Sequence, residues 1–225
     1  MSVAFNKIDH DRIEKAVAEA EQNTAGEIVA CLTERSDDYG LGVVRAIVMF
    51  VLLGVLLQLL ITPIYSGWNL GWAYTSWGTM LTLLSFGLVG GLLAYAFPPF
   101  HRLCSGKKLM NRMVHLQAMR AFVEEEVFLT EDRTGILLFI SVFERRIEVI
   151  GDEGINKQVD PSDWVEVVNR IRQGITSTDF TTGLVDAIGL CGKLLHDKGV
   201  DVKRDDRDEL SNRLRIRDDD IDFEG

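Results

Sequence analysis

Two long apolar runs constrain the fold of this chain more than any other feature of its sequence. The first covers residues 41–65 and contains one charged residue, Arg45, and the second covers residues 77–97 and contains none. A helix of about 20 residues, rising about 1.5 Å per residue, crosses a hydrocarbon layer of about 30 Å. Helices buried in soluble proteins usually keep a polar face. The sequence therefore predicts two membrane-spanning helices rather than two core helices.

The connection between the two runs is short and rich in aromatic residues. Trp68, Trp72, Tyr74 and Trp77 all lie in or beside it, and such amphipathic rings collect at the headgroup level of a bilayer. A short connection makes the two helices a hairpin, which returns the chain to the side that it left. We therefore expect the segments before and after the hairpin to share one compartment and to fold together.

The distribution of basic residues predicts the orientation of this hairpin. The connection contains no lysine or arginine, whereas Arg35 precedes the first run and Arg102, Lys107 and Lys108 follow the second. Basic residues near the ends of membrane spans stay in the cytoplasm. The prediction is a multi-pass protein of a bacterial-type inner (cell) membrane with both termini cytoplasmic. The N-terminal residues are charged from Lys7 onward and are not expected to form a signal sequence.

Two polar groups interrupt the first run, and small residues mark the second. Gln58 is expected to hydrogen-bond to another helix, and Arg45 is expected to extend toward the membrane interface. Gly87, Gly90 and Gly91 form a small-residue face. Such a face suits close packing against either the first helix or a second subunit.

Charge and cysteine content exclude some classes of protein. The formal net charge is -10, which argues against nucleic acid as a partner because such binding needs a basic surface. The three cysteines show no C-x-x-C spacing, which favours reduced cytosolic thiols over a disulfide framework.

The remaining sequence predicts one small α/β (α+β) domain that the hairpin divides. Residues 1–38 would form its first part, 40–98 the transmembrane hairpin, 105–199 its second part, and 200–225 a charged, disordered tail. Apolar strands are expected within 26–34, 135–143 and 146–154, with helices around them. We expect a small mixed sheet flanked by helices. The first strand would lie parallel to the central one, and the last two strands would be antiparallel.

The segment TGILLFISVFERRIEVIGDEGI, residues 134–155, resembles the core signature of the TPM domain. The similarity extends to GEIVACLTE at residues 26–34 and to the helical segment that begins DWVEVVNRI at Asp163. The resemblance implies a TPM-like fold, weak phosphatase activity, calcium binding, and a role in the repair or regulation of membrane complexes. This chain departs from the family pattern because the hairpin separates the first strand from the following helix.

Four acidic residues between the third strand and the next helix are the candidate metal ligands: Asp152, Glu153, Asp160 and Asp163. Calcium prefers six to eight oxygen ligands from carboxylates and loop carbonyls, and Gly151 and Gly154 would let the backbone approach an ion. The alternative is a solvated loop in which Asp160 caps a helix that begins at Pro161. Arg145 and Arg146 are candidates for binding an anion or a partner, the alternative being a solvated hairpin turn.

The sequence contains no recognisable catalytic constellation. No cysteine is followed by arginine at the Cys-x5-Arg spacing of a thiol phosphatase, and the segment GLCGK at Gly189 lacks the full phosphate-loop pattern. The four histidines show no i, i+4 pair for zinc. Our leading hypothesis is therefore a non-enzymatic membrane adaptor that binds a membrane protein in assembly, repair or quality control. The alternatives are a weak metal-dependent phosphatase-like hydrolase that uses the acidic loop, and a homo-oligomeric structural membrane protein.

Overall fold

The computed structural model describes residues 8–22, 24–61, 71, 75–176, 180–200 and 209–217. The chain forms two compact units, one from residues 38–110 and the other from residues before 38 and after 110. In chain order the elements are α1 (His10–Glu21), β1 (Glu27–Thr33), α2 (Gly40–Ile61), α3 (Ser76–Ala96), α4 (Pro98–Ser105), α5 (Lys107–Glu124), β2 (Gly135–Ser141), β3 (Arg146–Gly151), α6 (Glu153–Asn156), α7 (Val165–Thr176), α8 (Phe180–Asp197) and β4 (Arg215–Arg217).

A mixed sheet with the strand order β3-β2-β1-β4 forms the centre of the α/β unit. β1 and β2 pair in parallel over seven residues, from Glu27 opposite Gly135 to Thr33 opposite Ser141. β3 pairs antiparallel to β2. Every residue of β1 and β2 is buried, as expected for continuous apolar strands that are covered on both faces. The predicted α+β fold and both predicted strand pairings are confirmed.

Successive residues of these strands face two different apolar clusters. Ile28, Leu138 and Ile140 belong to the larger cluster, which also contains side chains of α1, α7 and α8. Val29 and Phe139 belong to the smaller cluster, which contains side chains of α5. This alternation follows from the two-residue period of a strand, and it places helices on both faces of the sheet.

In the other unit, α2 and α3 pack against one another, and both are long and apolar enough to cross a membrane. Their outward side chains are exposed; for example, Leu59 and Leu88 keep 68% and 65% of their accessible surface. The predicted runs of residues 41–65 and 77–97 correspond to α2 and α3, and residues 62–65 of the first run lie outside the described residues. Trp68, Trp72 and Tyr74 lie outside the described residues.

Pro98 and Pro99 follow the end of α3 and occupy the first positions of the short helix α4, where a missing N–H costs no hydrogen bond. One predicted helix boundary differs from the structure. α7 begins at Val165 rather than at Pro161. The cap predicted at Asp160 is wrong, because Asp160 does not adjoin the first residue of α7. The backbone N–H of Asp160 donates to Oδ2 of Asp163 at 2.9 Å.

The prediction of a disordered tail is wrong for the described segment 209–217. Arg215–Arg217 forms β4, which pairs in parallel with residues Cys31–Thr33 of β1. Leu214 is 7% exposed and belongs to the larger apolar cluster. The high charge content of the tail led to the prediction of disorder. Composition alone does not show that Leu214 is buried or that this segment pairs with the edge of β1.

Candidate functional site

Asp152 is the most deeply buried of the candidate metal ligands, and it is neutralised by an arginine. Its carboxylate lies 2.8 Å from Nε of Arg133 and accepts a hydrogen bond from Nη2 of the same residue at 3.0 Å. It also caps α6 by accepting from the backbone N–H of Glu153 at 2.7 Å. The guanidinium of Arg133 lies 5.8 Å from the ring centroid of Phe128. The structure therefore gives Asp152 a cation and a helix cap within the fold.

Two of the other candidate ligands, Glu153 and Asp163, also face cations of this chain. Glu153 lies 2.9 Å from Nζ of Lys157, and Asp163 lies 2.6 Å from Nζ of Lys198. Hydrogen bonds from these two lysines hold the pKa of each carboxyl below its ordinary value. Within the described ranges, no three or more Asp, Glu, His or Cys side chains are grouped to hold a metal ion. The predicted donor set of Asp152, Glu153, Asp160 and Asp163 is not assembled.

The space beside Gly154 is filled by backbone atoms of Asp132 and Arg133 rather than left open for an ion. A Cβ at this position would lie 2.5 Å from the carbonyl oxygen of Asp132 and 2.7 Å from that of Arg133. The N–H of Gly154 donates to the carbonyl of Arg133 at 2.9 Å. The glycine therefore lets the turn before β2 pack against the start of α6, which positions Arg133 beside Asp152.

Replacing Arg133 by glutamine is expected to lower the free energy of unfolding by about 1–3 kcal/mol, because a buried carboxylate then loses its cation. The side chain of Arg133 is half exposed, which places the effect toward the lower end of that range. Urea denaturation of the purified full-length protein measures it. Lys157→Gln is the matched control and should leave the midpoint unchanged, since its pair with Glu153 is exposed. Equal effects of the two substitutions would contradict this account of the loop.

Arg145 and Arg146 lie at the β2–β3 hairpin, as predicted. Arg145 is exposed, adopts a positive φ of 54°, and donates its N–H to the carbonyl of Val142 at 3.1 Å. Arg146 is the first residue of β3 and pairs with Ser141. The role of these two arginines in binding an anion or a partner stays a prediction.

A buried polar cluster beside this hairpin was missed by the sequence analysis. Glu144 is buried, and its carboxylate accepts from the backbone N–H of Ser36 at 2.8 Å and from the hydroxyl of Ser141. The hydroxyl oxygens of Ser36 and Ser141 lie 2.8 Å apart. A glutamate in a hairpin turn carries no sequence signal of burial. The cluster fastens the segment that follows β1 to the turn between β2 and β3.

The small residues of α3 pack against α2 of the same chain. A Cβ at Gly90 would lie 2.8 Å from the carbonyl oxygen of Ala46 and 2.8 Å from Cβ of Phe50. Nε2 of Gln58 donates to the hydroxyl of Thr79 at 3.0 Å, which confirms the predicted hydrogen bond to another helix. Of the two predicted uses of the glycine face, the structure shows packing within the hairpin.

Arg45 caps the C-terminal end of α4. Its Nη1 donates to the carbonyl of Ser105 at 2.9 Å and to that of Cys104 at 3.2 Å. These carbonyls end α4, where a cation is favoured by the helix dipole. The predicted extension of Arg45 toward the membrane interface stays a prediction.

The acidic C-terminal end of α5 lies against basic side chains of β4. Nε of Arg215 lies 3.0 Å from Glu125, and Arg217 contacts both Glu124 and Glu125. Partial burial raises the pKa of Glu124, but hydrogen bonds from Arg217 and Arg120 outweigh it and hold the pKa below its ordinary value. This carboxylate therefore stays ionised at neutral pH and keeps its arginine partners.

The sequence did not predict this contact. The signal that could have revealed the strand is the alternation of basic and apolar residues in Arg213, Leu214, Arg215, Ile216 and Arg217. Such alternation is typical of a strand with one charged face.

The buried thiols are not ready nucleophiles. Burial raises the pKa of Cys31 to about 12 and also raises the pKa of Cys191. A thiolate is the reactive form of cysteine, so both side chains stay protonated at neutral pH.

Comparisons with known proteins give the fold and nothing about activity. No known protein family and no curated protein match the chain. The chain is similar to the NMR structure of the BA42 protein from the psychrophilic bacterium Bizionia argentinensis, with 20% sequence identity and a TM-score of 0.56. The match covers 96% of this chain and 100% of that protein. This similarity supports the α+β fold.

Proposed function

We propose that this chain is a membrane-anchored, non-enzymatic protein-interaction module of the TPM type, which binds a membrane protein during assembly, repair or quality control. The observation that carries the proposal is the outward surface of α2 and α3. Their small residues pack inside the hairpin, while large apolar side chains such as Leu52, Leu59 and Leu92 are exposed. Soluble proteins rarely expose contiguous apolar surface of this extent, and a bilayer would cover it.

The architecture of the α/β unit supports anchoring through a hairpin. β1 precedes the hairpin and β2 follows it, yet the two strands pair along their whole length. This arrangement requires both flanking segments to lie on one side of the membrane. The basic residues outside the apolar runs favour the cytoplasm as that side, and we propose an inner (cell) membrane protein with both termini inside.

The ion pairs of the acidic loop favour the adaptor over the hydrolase alternative. Asp152, Glu153 and Asp163 each face an arginine or lysine of this chain. A groove of about 910 Å³ between α7 and α8 is lined by both polar and apolar residues, and the ion pair of Arg170 with Asp186 lies in it. Turnover of a generic phosphate ester that is lost in Asp152→Asn would restore this alternative.

Membrane anchoring is tested by alkaline carbonate extraction and by labelling of single cysteines in intact cells. The protein should stay in the membrane pellet. Gly71→Cys should react with a membrane-impermeant maleimide from outside, whereas Leu129→Cys, which replaces an exposed side chain, should react only after permeabilisation. The parent protein is the control, because its three thiols are buried. Recovery in the soluble fraction, or labelling of both positions from the same side, would overturn the proposal.

The interaction role is tested by cross-linking in native membranes followed by mass spectrometry. We expect cross-links from the α/β unit to another membrane protein. An exclusively homotypic pattern would instead favour the structural homo-oligomer.

A further inference from the structure

We propose that the edge of β1 that faces β4 is a docking groove for an extended, basic segment of a partner protein, and that residues 209–217 of this chain occupy the groove in its absence. This inference rests on the proposed function as an interaction module, and it names the binding surface and the chemistry of the partner. Four observations carry it: the incomplete pairing of β1, the acidic end of α5, the two leucine anchors, and the shortness of the tail strand.

The tail uses less than half of the available edge. β1 has seven residues, and β4 pairs with three of them, Cys31–Thr33. Beside residues 27–30, the described part of the tail forms no strand, and Leu210 there donates its N–H to the carboxylate of Glu27 at 3.3 Å. A strand edge recognises an extended peptide through its backbone hydrogen bonds. A partner segment that paired along all of β1 would form more of these bonds than the tail does.

The acidic end of α5 selects the charge of the occupant. Arg215 and Arg217 are two residues apart, so their side chains leave the same face of β4. Arg215 contacts the carboxylate of Glu125, and Arg217 contacts those of Glu124 and Glu125. The side chains of this network keep between 18% and 39% of their accessible surface. Charge pairs in such a partly desolvated network discriminate against an acidic occupant more than they add affinity. The groove therefore fits a segment with basic residues at alternate positions.

Two leucines show which apolar side chains the groove accepts. Leu214 is buried in the cluster on the α1, α7 and α8 side of the sheet, and Leu210 packs against the cluster on the α5 side. The occupant is thus anchored on both faces of the sheet. Together with the two arginines, these anchors define the pattern Leu-x-x-x-Leu-Arg-x-Arg, which the tail presents at Leu210 to Arg217.

The tail is suited to exchange with a partner segment. A strand of three residues is shorter than the usual five or six, and residues 201–208, which connect it to the domain, include seven charged side chains. Because the tail belongs to the same chain as the groove, a competing peptide needs a higher concentration to displace it. Removal of the tail should therefore increase the affinity of the groove for a competing peptide.

The test uses a fluorescent peptide with the sequence of residues 209–217, ELSNRLRIR, and purified protein in detergent. We expect the variant that ends at Asp208 to bind the peptide at least tenfold more tightly than the full-length protein. Arg215→Glu with Arg217→Glu in the full chain provides a second variant, which keeps the chain length but repels its own tail from the groove. This variant should also bind more tightly than the parent protein.

Charge exchange identifies the site. Glu124→Lys with Glu125→Lys in the shortened protein should reduce binding of the basic peptide at least tenfold. Binding should return when both arginines that correspond to Arg215 and Arg217 are glutamate in the peptide. A matched control, Glu14→Lys with Glu19→Lys on α1, should leave binding of the basic peptide unchanged.

Three results would overturn the inference. The first is that neither tail variant binds the peptide although its unfolding midpoint is unchanged. The second is that the protein binds the peptide equally well with and without the tail. The third is a dimer of the full-length protein that disappears on truncation, which would assign the groove to strand exchange between copies. None of these readouts involves a bilayer. Failure of the peptide to bind therefore leaves the carbonate and labelling experiments intact, and a soluble protein in those experiments leaves the peptide measurement intact.

Discussion

Replacing Gly135 by alanine is expected to lower the free energy of unfolding by about 3 kcal/mol. This value is the upper end of the usual cost of adding an atom to a closely packed site. A Cβ here would lie 1.9 Å from the carbonyl oxygen of Val127 and 2.9 Å from its carbonyl carbon. These are backbone atoms, so relief requires β2 or the segment after α5 to move. Gly135 is also the residue that pairs with Glu27 at the start of the β1–β2 register. Urea denaturation of the full-length protein, followed by circular dichroism, measures the loss.

Gly189→Ala is the matched control for this prediction. Gly189 lies within α8, and a Cβ there would meet no heavy atom within 4 Å. Alanine favours a helix over glycine by about 0.5–1 kcal/mol, so this substitution should raise the unfolding midpoint. A similar loss of stability in both variants would show that the close approach of Val127 to β2 is not the cause.

Phe139→Ala is expected to lower the free energy of unfolding by about 3–5 kcal/mol, which is the usual cost of a large aromatic-to-alanine cavity. Phe139 is 1% exposed, lies opposite Cys31 in the sheet, and belongs to the cluster with Val114 and Ala118 of α5. The substitution therefore removes a fully buried aromatic ring between the sheet and α5. The same urea titration measures the effect, and the slope of the transition checks that the native state keeps its compactness.

Leu129→Ala is the control for the cavity. Leu129 is 56% exposed and follows α5 on the surface, so its truncation should change the free energy of unfolding by less than about 0.5 kcal/mol. A loss below about 1 kcal/mol for Phe139→Ala would contradict the burial of this side of the sheet by α5.

The sequence predicts the central sheet well because burial on both faces leaves a strong local signal. Val29, Leu137 and their neighbours form uninterrupted apolar runs of strand length, and the intervening helical segments favour a parallel pair. The length of α2 and α3 and the hydrogen bond of Gln58 were predictable for a similar reason, since an isolated polar group in an apolar helix has few partners other than a neighbouring helix.

The acidic loop could not be predicted from composition, because its chemistry depends on distant partners. Asp152 is paired with Arg133 across the start of the sheet, and Asp163 with Lys198 at the end of α8. A run of carboxylates predicts a cation site only when no side chain supplies the positive charge. The position of Gly154 was also ambiguous, because a glycine that admits backbone and a glycine that admits an ion look the same in a sequence.

The tail strand was missed because its stability comes from contacts far along the chain. Cys31 and Arg215 pair although the whole second part of the domain separates them. Local composition favoured disorder, and the acidic surface at Glu124 and Glu125 is recognisable only after α5 and the sheet are placed.

The most direct test of this account is disulfide formation between Thr33→Cys and Ser141→Cys in native membranes. These residues pair in register across the sheet, one before and one after the hairpin, and neighbouring strands bring Cα atoms to within the range of a disulfide. Glu27→Cys with Ser141→Cys is the control, since these positions lie at opposite ends of the paired strands. We predict that mild oxidation links residues 33 and 141, but not residues 27 and 141, in peptides analysed by mass spectrometry. Two thiols at 33 and 141 that stay reduced and react independently with maleimide would contradict a sheet that is rejoined across the hairpin.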